Sequence, residues 1–161
     1  MSLEKNNGNK GASEPQPVSN GQIAIIRIRE LINIHRDIKR TLDQLRLYKK
    51  NCCVVIPNDK IYQGMIAKVK DYTTWGEIDD NTYEFMIDKK GEEYRGRITD
   101  GKQKIKYNRF LDIKGKKIKK FFRLNSPKKG YGRKGIKVPF NSGGALGYRG
   151  KKINELIKRM I

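Results

Sequence analysis

The stretch IYQGMIAKVKDYTTWGEI, residues 61–78, changes its hydrophobic period within a single short segment. Apolar residues of its first part recur at the helical spacing: Ile61, Met65, Ile66, Val69 and Tyr72. The second part, residues 73–78, is rich in β-branched and aromatic residues, which favour a strand. The segment therefore predicts an amphipathic helix that leads directly into a short strand.

An earlier strand is predicted from QIAIIRIR, residues 22–29. Side chains of a strand alternate between its two faces, so Ile26 and Ile28 share one face while Arg27 and Arg29 share the other. This pattern predicts a strand with a basic face.

A helix and a second strand lie between these two segments. Ile38, Leu42 and Leu45 recur at i, i+4 and i+7, which indicates an amphipathic helix over about residues 35–48. The run CCVVIP, residues 52–57, is short, apolar and β-branched, and ends at a turn sequence, which is typical of a buried strand. The element order is therefore β-α-β-α-β.

Three regions differ in composition. Residues 1–21 hold almost no large apolar residue and are predicted to be a disordered tail, while residues 22–90 hold the β-α-β-α-β core and end in a short helix stopped by Gly91. Residues 91–161 form a basic, glycine-rich extension, in which residues 91–120 give no clear helix or strand pattern. Its last residues, KKINELIKRMI, predict a terminal helix whose apolar face docks on the core.

Charge is concentrated in the extension. The chain of 161 residues has 37 Lys and Arg against 17 Asp and Glu, a formal charge of +20. Residues 1–87 carry 13 basic and 11 acidic side chains, a net +2, whereas residues 88–161 carry 24 and 6, a net +18. Such a balance indicates a polyanionic partner. A membrane surface is disfavoured because glycines interrupt the basic tract, and no apolar run predicts a membrane span or a secretory signal.

Catalytic and cofactor sites are not indicated. The one histidine, His35, stands at a predicted helix start, where a capping role is the simpler interpretation, and no convergent acid, base and nucleophile set accompanies it. Cys52 and Cys53 are adjacent within an apolar run, which predicts reduced core thiols and no metal site. Residues 130–135 spell GxGxxG, yet neither the preceding strand nor the following helix of a dinucleotide site is predicted. We expect a protein that is not an enzyme and takes no cofactor or metal.

Glycines between residues 130 and 150 alternate with basic residues. This pattern suits a loop whose backbone approaches phosphates closely, and a flexible solvated loop is the simpler alternative. Composition does not separate DNA from RNA, although basic arms that order on a partner are common among proteins that bind folded RNA. A free nucleic-acid-compacting or RNA-chaperone protein stays open as an alternative function.

Four motifs occur in order along the chain: IIRIR at 25–29, TLDQLRL at 41–47, GMIAKVKDYTTWGEI at 64–78 and GGALGYRG at 143–150. Together they resemble the L-thirty family of large-subunit ribosomal proteins in its archaeal form, which is related to eukaryotic L-seven. The resemblance covers residues 22–90 and 121–161. The chain departs from the family pattern at Cys52, where packing alone is affected, and at residues 125–127, where a local RNA contact is put in doubt.

The resemblance implies an α+β fold: a two-layer, ferredoxin-like core with a three-stranded sheet and two helices on one face, and a basic extension that ends in a helix. It further implies a cytoplasmic structural constituent of the large ribosomal subunit, which binds the large rRNA near 5S rRNA and contacts neighbouring ribosomal proteins. Homo-oligomers and membrane contacts are not expected.

Several residues match family motifs by position and are predicted to contact RNA, the arginines through phosphates; other basic residues join them through their charge. The full set is Arg27, Arg29, Arg36, Lys39, Arg46, Lys50, Arg123, Lys128, Lys129, Arg133, Lys134, Lys137, Gly143, Gly144 and Arg149. Trp75 is expected in the core rather than stacked on a base.

Overall fold

The computed structural model describes residues 21–113 and 115–161, so the predicted tail lies, apart from Gly21, outside the described residues. Within these described residues, seven strands and four α-helices follow one another. They are β1 (Gln22–Arg27), α1 (Arg36–Gln44), β2 (Cys52–Pro57), α2 (Lys60–Val69), β3 (Thr73–Glu77), α3 (Asp80–Lys90), β4 (Phe110–Ile113), β5 (Lys116–Lys119), β6 (Phe122–Arg123), β7 (Gly147–Tyr148) and α4 (Ile153–Met160).

The main sheet has five strands in the order β6-β2-β1-β3-β7. β1 lies at its centre and pairs antiparallel with β2 and β3, so that Ile25 stands opposite Val54 on one side and Trp75 on the other. The short strand β6 adds to β2 antiparallel, and β7 adds to β3 in parallel. The predicted α+β class and the β-α-β-α-β order are confirmed, and the extension supplies two further strands to the same sheet.

Both faces of the sheet are apolar and covered. On one face Ile23 and Ile25 pack with Leu42 of α1 and with Ile66 and Val69 of α2. This face carries the two helices that the sequence predicts. On the other face Ala24, Ile26 and Cys53 pack with Met86 of α3 and with α4. The structure thus has a third layer, because alternate residues of β1 are apolar on both sides and each side requires a cover.

The terminal helix α4 covers the second face of the sheet. Its buried apolar side chains are Ile153, Leu156, Ile157 and Met160, each fully shielded from solvent. Burial of four such side chains contributes roughly 6–12 kcal/mol before the conformational entropy cost. Asn154 fixes the start of the helix: its amide donates to the carbonyl of Glu77 at 3.1 Å and its oxygen accepts from the N–H of Asp79 at 3.0 Å.

α1 is shorter than the predicted helix over residues 35–48. It begins after His35, whose Nδ1 accepts from the N–H of Asp37 at 3.3 Å, so the capping role of this histidine is confirmed. Its end differs from the prediction because Arg46 adopts a left-handed backbone with φ of 61°. The N–H of Leu47 then bonds the carbonyl of Leu42 at 2.9 Å, which closes a Schellman motif and turns the Leu47 side chain into the core.

The segment without a sequence pattern, residues 91–120, contains a small antiparallel hairpin. β4 pairs with β5 in a register that sets Phe110 opposite Lys119. The Tyr94 ring lies 5.6 Å from that of Phe110, and Ile118 is buried next to Gly91. These contacts join the hairpin to the end of α3.

The two adjacent cysteines are free and buried, as predicted for core thiols. Cys52 packs in the cluster under α1 and α2, whereas Cys53 packs in the cluster under α4. Burial raises the pKa of the Cys53 thiol far above its usual range. Both residues act as small apolar side chains of β2.

Gly76 of β3 packs closely against the backbone of Gly150, which lies just before α4. A Cβ atom at Gly76 would lie 2.1 Å from the carbonyl oxygen of Gly150, whereas a Cβ atom at Gly64 of α2 would meet nothing within 4 Å. We expect Gly76→Ala to lower the free energy of unfolding by about 1–3 kcal/mol or more. Gly64→Ala is the matched control and should raise it by about 0.5–1 kcal/mol through helix propensity. Urea denaturation of both variants measures this, and equal effects would contradict the close approach.

Candidate nucleic-acid interface

Arg27 is buried at the end of the central strand, and only 2% of its surface is exposed. Its guanidinium donates to the carbonyls of Leu47 at 2.9 Å, Tyr48 at 2.7 Å and Arg29 at 2.9 Å. Desolvation lowers the pKa of this arginine. The predicted open basic face at Arg27 is therefore wrong: its side chain shares the face of Ile23 and Ile25, which α1 and α2 cover, and it holds the chain that follows α1 in place.

Arg149, which follows β7 at the edge of the sheet, is also buried and also holds irregular backbone in place. Its Nε donates to Oγ1 of Thr74 at 3.0 Å, and its Nη2 donates to the carbonyls of Tyr131 at 3.3 Å and Ala145 at 3.1 Å. The guanidinium carbon lies 4.5 Å from the ring centre of Phe140. Burial lowers the pKa of Arg149 to about 10. The expected phosphate contact does not fit this geometry, because Nε and Nη2 donate to oxygens of the fold and only 7% of the residue is exposed.

The glycine loop is held together by contacts within itself. A Cβ atom at Gly144 would lie 2.0 Å from the carbonyl oxygen of Val138, so this buried glycine allows two backbone segments to touch. Its predicted approach to a phosphate is not compatible with that burial. Gly143, by contrast, is exposed with a left-handed φ of 88°. Residues 130–135 lead into no α-helix, which agrees with the rejection of a dinucleotide site.

Arg29 lies half-buried beside the end of α2. Its Nη1 donates to the carbonyl of Asp71 at 3.2 Å, and its guanidinium carbon lies 5.0 Å from the ring centre of Tyr72. Part of the Arg29 guanidinium therefore stays accessible to a ligand. Trp75 is also half-buried and packs against the cluster under α1 and α2, in line with the expected core position.

One exposed face of α1 carries three cations. Arg36, Lys39 and Arg40 line a shallow depression together with Asp43. None of the three cations forms a salt bridge within the described part of the chain. They can therefore neutralise an external anion without breaking a contact of the fold.

A second group of cations surrounds Phe121, at the sheet edge formed by β6. Lys119 and Arg123 each place their charged ends 5.9 Å from the Phe121 ring centre. Glu92 pairs with Lys119 at 2.6 Å and with Arg123 at 3.6 Å, and the Lys119 hydrogen bond lowers the pKa of this carboxyl. Arg46 lies close enough to Lys120 to help lower its pKa, after the larger effect of desolvation.

A third group stands on the loop of residues 128–137. Its five cations, Lys128, Lys129, Arg133, Lys134 and Lys137, are all exposed. Its backbone is fixed: the N–H of Lys128 donates to the carbonyl of Arg159 at 3.0 Å, and Nη1 of Arg159 donates to the carbonyl of Gly130 at 3.2 Å. The Tyr131 hydroxyl donates to Oδ1 of Asn51, and burial raises the pKa of this tyrosine to about 12. The loop combines an ordered backbone with free charged ends.

Neither a metal site nor a membrane-spanning helix is present in residues 21–113 and 115–161. Within these ranges no group of three or more His, Cys, Asp or Glu side chains is placed to hold a metal ion. No helix there is long and apolar enough to cross a bilayer.

Known proteins match this chain over most of its length. The family model described as Ribosomal protein L30p/L7e matches residues 23–73. The protein named Large ribosomal subunit protein uL30 from Nanoarchaeum equitans is 46% identical over 86% of this chain and 97% of its own length. Proteins of the same name from Methanopyrus kandleri and Methanococcus maripaludis are 39% and 41% identical, over 81% and 86% of this chain and over 97% and 98% of their own lengths.

The chain belongs to the uL30 family. The resemblance to the archaeal form is confirmed, because these relatives are archaeal. Proteins of the uL30 family are structural proteins of the large ribosomal subunit, which confirms that the chain is not an enzyme and that its place is the cytoplasmic ribosome.

Sequence reasoning missed two features of this uL30-family chain. It did not separate the buried arginines from the exposed ones, since strand alternation alone does not tell which face of a sheet is covered. It also did not single out Arg40 and Lys120, which stand beside Lys39 and Arg46. The spacing of Arg40 from Arg36, one helical turn, is the signal that could have found it.

The two arginine environments predict different effects on stability. Arg27→Ala removes the donor of three backbone carbonyls and should lower the free energy of unfolding by about 2–4 kcal/mol, a loss of roughly 5–15 °C in Tm. Arg36→Ala, at an exposed arginine, should change it by less than about 0.5 kcal/mol. Thermal melts followed by circular dichroism compare the two variants. A melt of Arg27→Ala indistinguishable from that of Arg36→Ala would show that Arg27 holds nothing in place.

Proposed function

We propose that this uL30-family protein binds the large-subunit rRNA, close to 5S rRNA, and acts as an architectural component of the subunit. The observation that carries the proposal is the loop of residues 128–137, where an ordered backbone presents five free cations. The names of its archaeal relatives, large ribosomal subunit proteins, support rRNA as the polyanion. The position near 5S rRNA rests on the family resemblance.

The proposed RNA surface consists of exposed and half-buried cations of the three groups, together with Lys50, Arg29 and Gly143. Its members are Arg36, Lys39, Arg46, Lys50, Arg123, Lys128, Lys129, Arg133, Lys134 and Lys137, to which the structure adds Arg40 and Lys120. Arg27, Gly144 and Arg149 support this surface from inside the fold. Their substitution would weaken RNA binding only indirectly.

Binding is driven by the release of counterions from the RNA backbone. The net charge of +18 over residues 88–161 supplies the attraction, and the fixed backbone of the loop limits the entropy lost when cations meet phosphates. Neighbouring ribosomal proteins would contact the remaining surface. The function is to hold RNA helices together rather than to transform them.

The salt dependence of rRNA binding tests the proposal. With roughly 8 phosphates neutralised, log K against log salt should slope by about −6 to −7. Replacement of Lys128, Lys129, Arg133, Lys134 and Lys137 by Gln should flatten the slope by about 3.5–4.5. Filter binding of purified large-subunit rRNA between low and moderate salt measures both slopes.

The matched control for this variant removes five exposed cations that lie outside the proposed surface. It replaces Lys60, Lys68, Lys70, Lys89 and Lys158 by Gln and so has the same net charge. This control should keep most of the slope. Equal flattening in both variants, or displacement by duplex DNA as readily as by rRNA, would instead favour a free nucleic-acid-compacting protein.

A substitution of Arg46 is expected to change the stability of the protein and its RNA binding in opposite directions. A left-handed backbone costs an arginine about 1 kcal/mol that glycine does not incur, so Arg46→Gly should raise the free energy of unfolding by about that amount. The same substitution should flatten the salt slope by about 0.7–0.9, because one phosphate contact is lost. Arg46→Lys is the control and should retain the slope. A stabilised Arg46→Gly variant with an unchanged slope would remove Arg46 from the proposed surface.

A further inference from the structure

An exposed aromatic side chain lies at the β6 edge of the sheet, next to the cations around Phe121. Tyr48 is 48% exposed, so much of its aromatic ring is in contact with solvent. Its ring centre lies 5.7 Å from that of Phe121, and the two rings meet edge to face at 83°. Phe121 in turn packs against the core cluster under α1 and α2. One side of the Tyr48 ring thus packs on Phe121, and much of the rest is exposed to solvent.

The backbone of Tyr48 is held in one position. Its carbonyl oxygen accepts from Nη1 of buried Arg27 at 2.7 Å, and the side chain of the preceding residue, Leu47, is fully buried. An aromatic ring on a fixed backbone has only two side-chain torsions to restrict on binding. A ligand that stacks on it therefore meets a small entropy cost.

The surroundings of this ring are positive. Lys119 and Arg123 lie over Phe121, and Arg46 is near Lys120. Glu92 pairs with the first two of these cations, so four positive charges against one negative leave a net charge of +3. A ligand that has both a flat ring and negative charge could stack on Tyr48 and pair with these cations.

We propose that Tyr48 is a stacking platform for one unpaired RNA base, whose flanking phosphates are neutralised by Arg46, Lys119, Lys120 and Arg123. This inference rests on the proposed rRNA binding and adds to it the kind of RNA element bound at this edge. Single-stranded nucleic acids are recognised in this way, by aromatic rings on which bases stack and by cations that follow the backbone. A base inside a duplex has both faces covered by its neighbours, so the platform selects loops, bulges or strand ends.

Tyr148 shows by contrast why Tyr48 is suited to this role. It is 52% exposed on β7, at the opposite edge of the sheet, and its hydroxyl donates to Oε1 of Glu77 at 2.5 Å. The adjacent carboxylate repels a phosphate and raises the pKa of this tyrosine through the hydrogen bond. The two rings are similarly exposed, whereas Tyr148 bonds a carboxylate and Tyr48 packs on a ring that two cations contact.

The test uses the full-length protein and two fluorescent probes of equal length, a short single-stranded oligoadenylate and an abasic oligomer with the same phosphates. We expect the protein to bind the oligoadenylate more tightly than the abasic probe. Tyr48→Ala should weaken oligoadenylate binding by about 5- to 100-fold and leave abasic binding unchanged. Tyr48→Phe should retain the wild-type affinities, and Tyr148→Ala is the matched control that should change neither.

A second variant keeps the test valid if removal of the ring disturbs the fold. Tyr48→Leu preserves an apolar contact with Phe121 without an aromatic face, and it should lose the preference for bases while its thermal melt stays near that of the wild type.

Equal affinity of the wild-type protein for both probes, or an equal loss on both probes in Tyr48→Ala, would overturn the stacking platform. With a steep salt slope on rRNA, that result leaves the proposed function standing. A wild-type protein that binds neither the probes nor rRNA would overturn both.

Discussion

The central strand β1 is apolar on both sides, and the rest of the molecule is arranged around that constraint. Ile23 and Ile25 point to one face, and Ala24 and Ile26 point to the other. The β-α-β-α-β core supplies α1 and α2 for the first face, but α3 alone brings little apolar surface to the second. The C-terminal helix α4 completes that cover with four fully buried side chains. The extension is therefore needed for the core of the fold, even though most of the chain's charge lies there.

The cover on both faces of the sheet also buries two arginines, Arg27 and Arg149, and each bonds backbone carbonyls of the fold. Arg27 ends the central strand and Arg149 follows β7, and both are enclosed once the helices are in place. A buried guanidinium has to satisfy its donors, and both do so largely on backbone carbonyls of irregular segments. Arg27 fixes the chain around Tyr48, and Arg149 fixes the glycine loop through Ala145 and Tyr131. The buried arginines thus position the parts of the chain that carry the exposed ones.

Much of this fold can be predicted from the sequence, because hydrophobic period and β-branched content are local signals. They give the first three strands, α1 to α3 and the terminal helix, with errors mainly at the ends. The early end of α1 could not be predicted, since a left-handed arginine at residue 46 takes the place of the glycine that usually marks such a cap. The hairpin of β4 and β5 was missed because each strand has only four residues, FLDI and KKIK, and neither shows a clear apolar alternation.

The candidate site was less predictable, and the reason is that burial is a property of the whole fold. Arg27 and Arg29 stand two residues apart with the same expected orientation, yet one is enclosed and the other is half-open. The difference arises from the Leu47 and Tyr48 carbonyls, twenty residues away, which reach Arg27 alone. The same bonds that remove Arg27 from the surface hold Tyr48 at it. The arginines of this chain are therefore best divided by their surroundings: Arg27 and Arg149, buried against backbone carbonyls, shape the surface, and the exposed and half-buried ones are those we propose to contact the RNA.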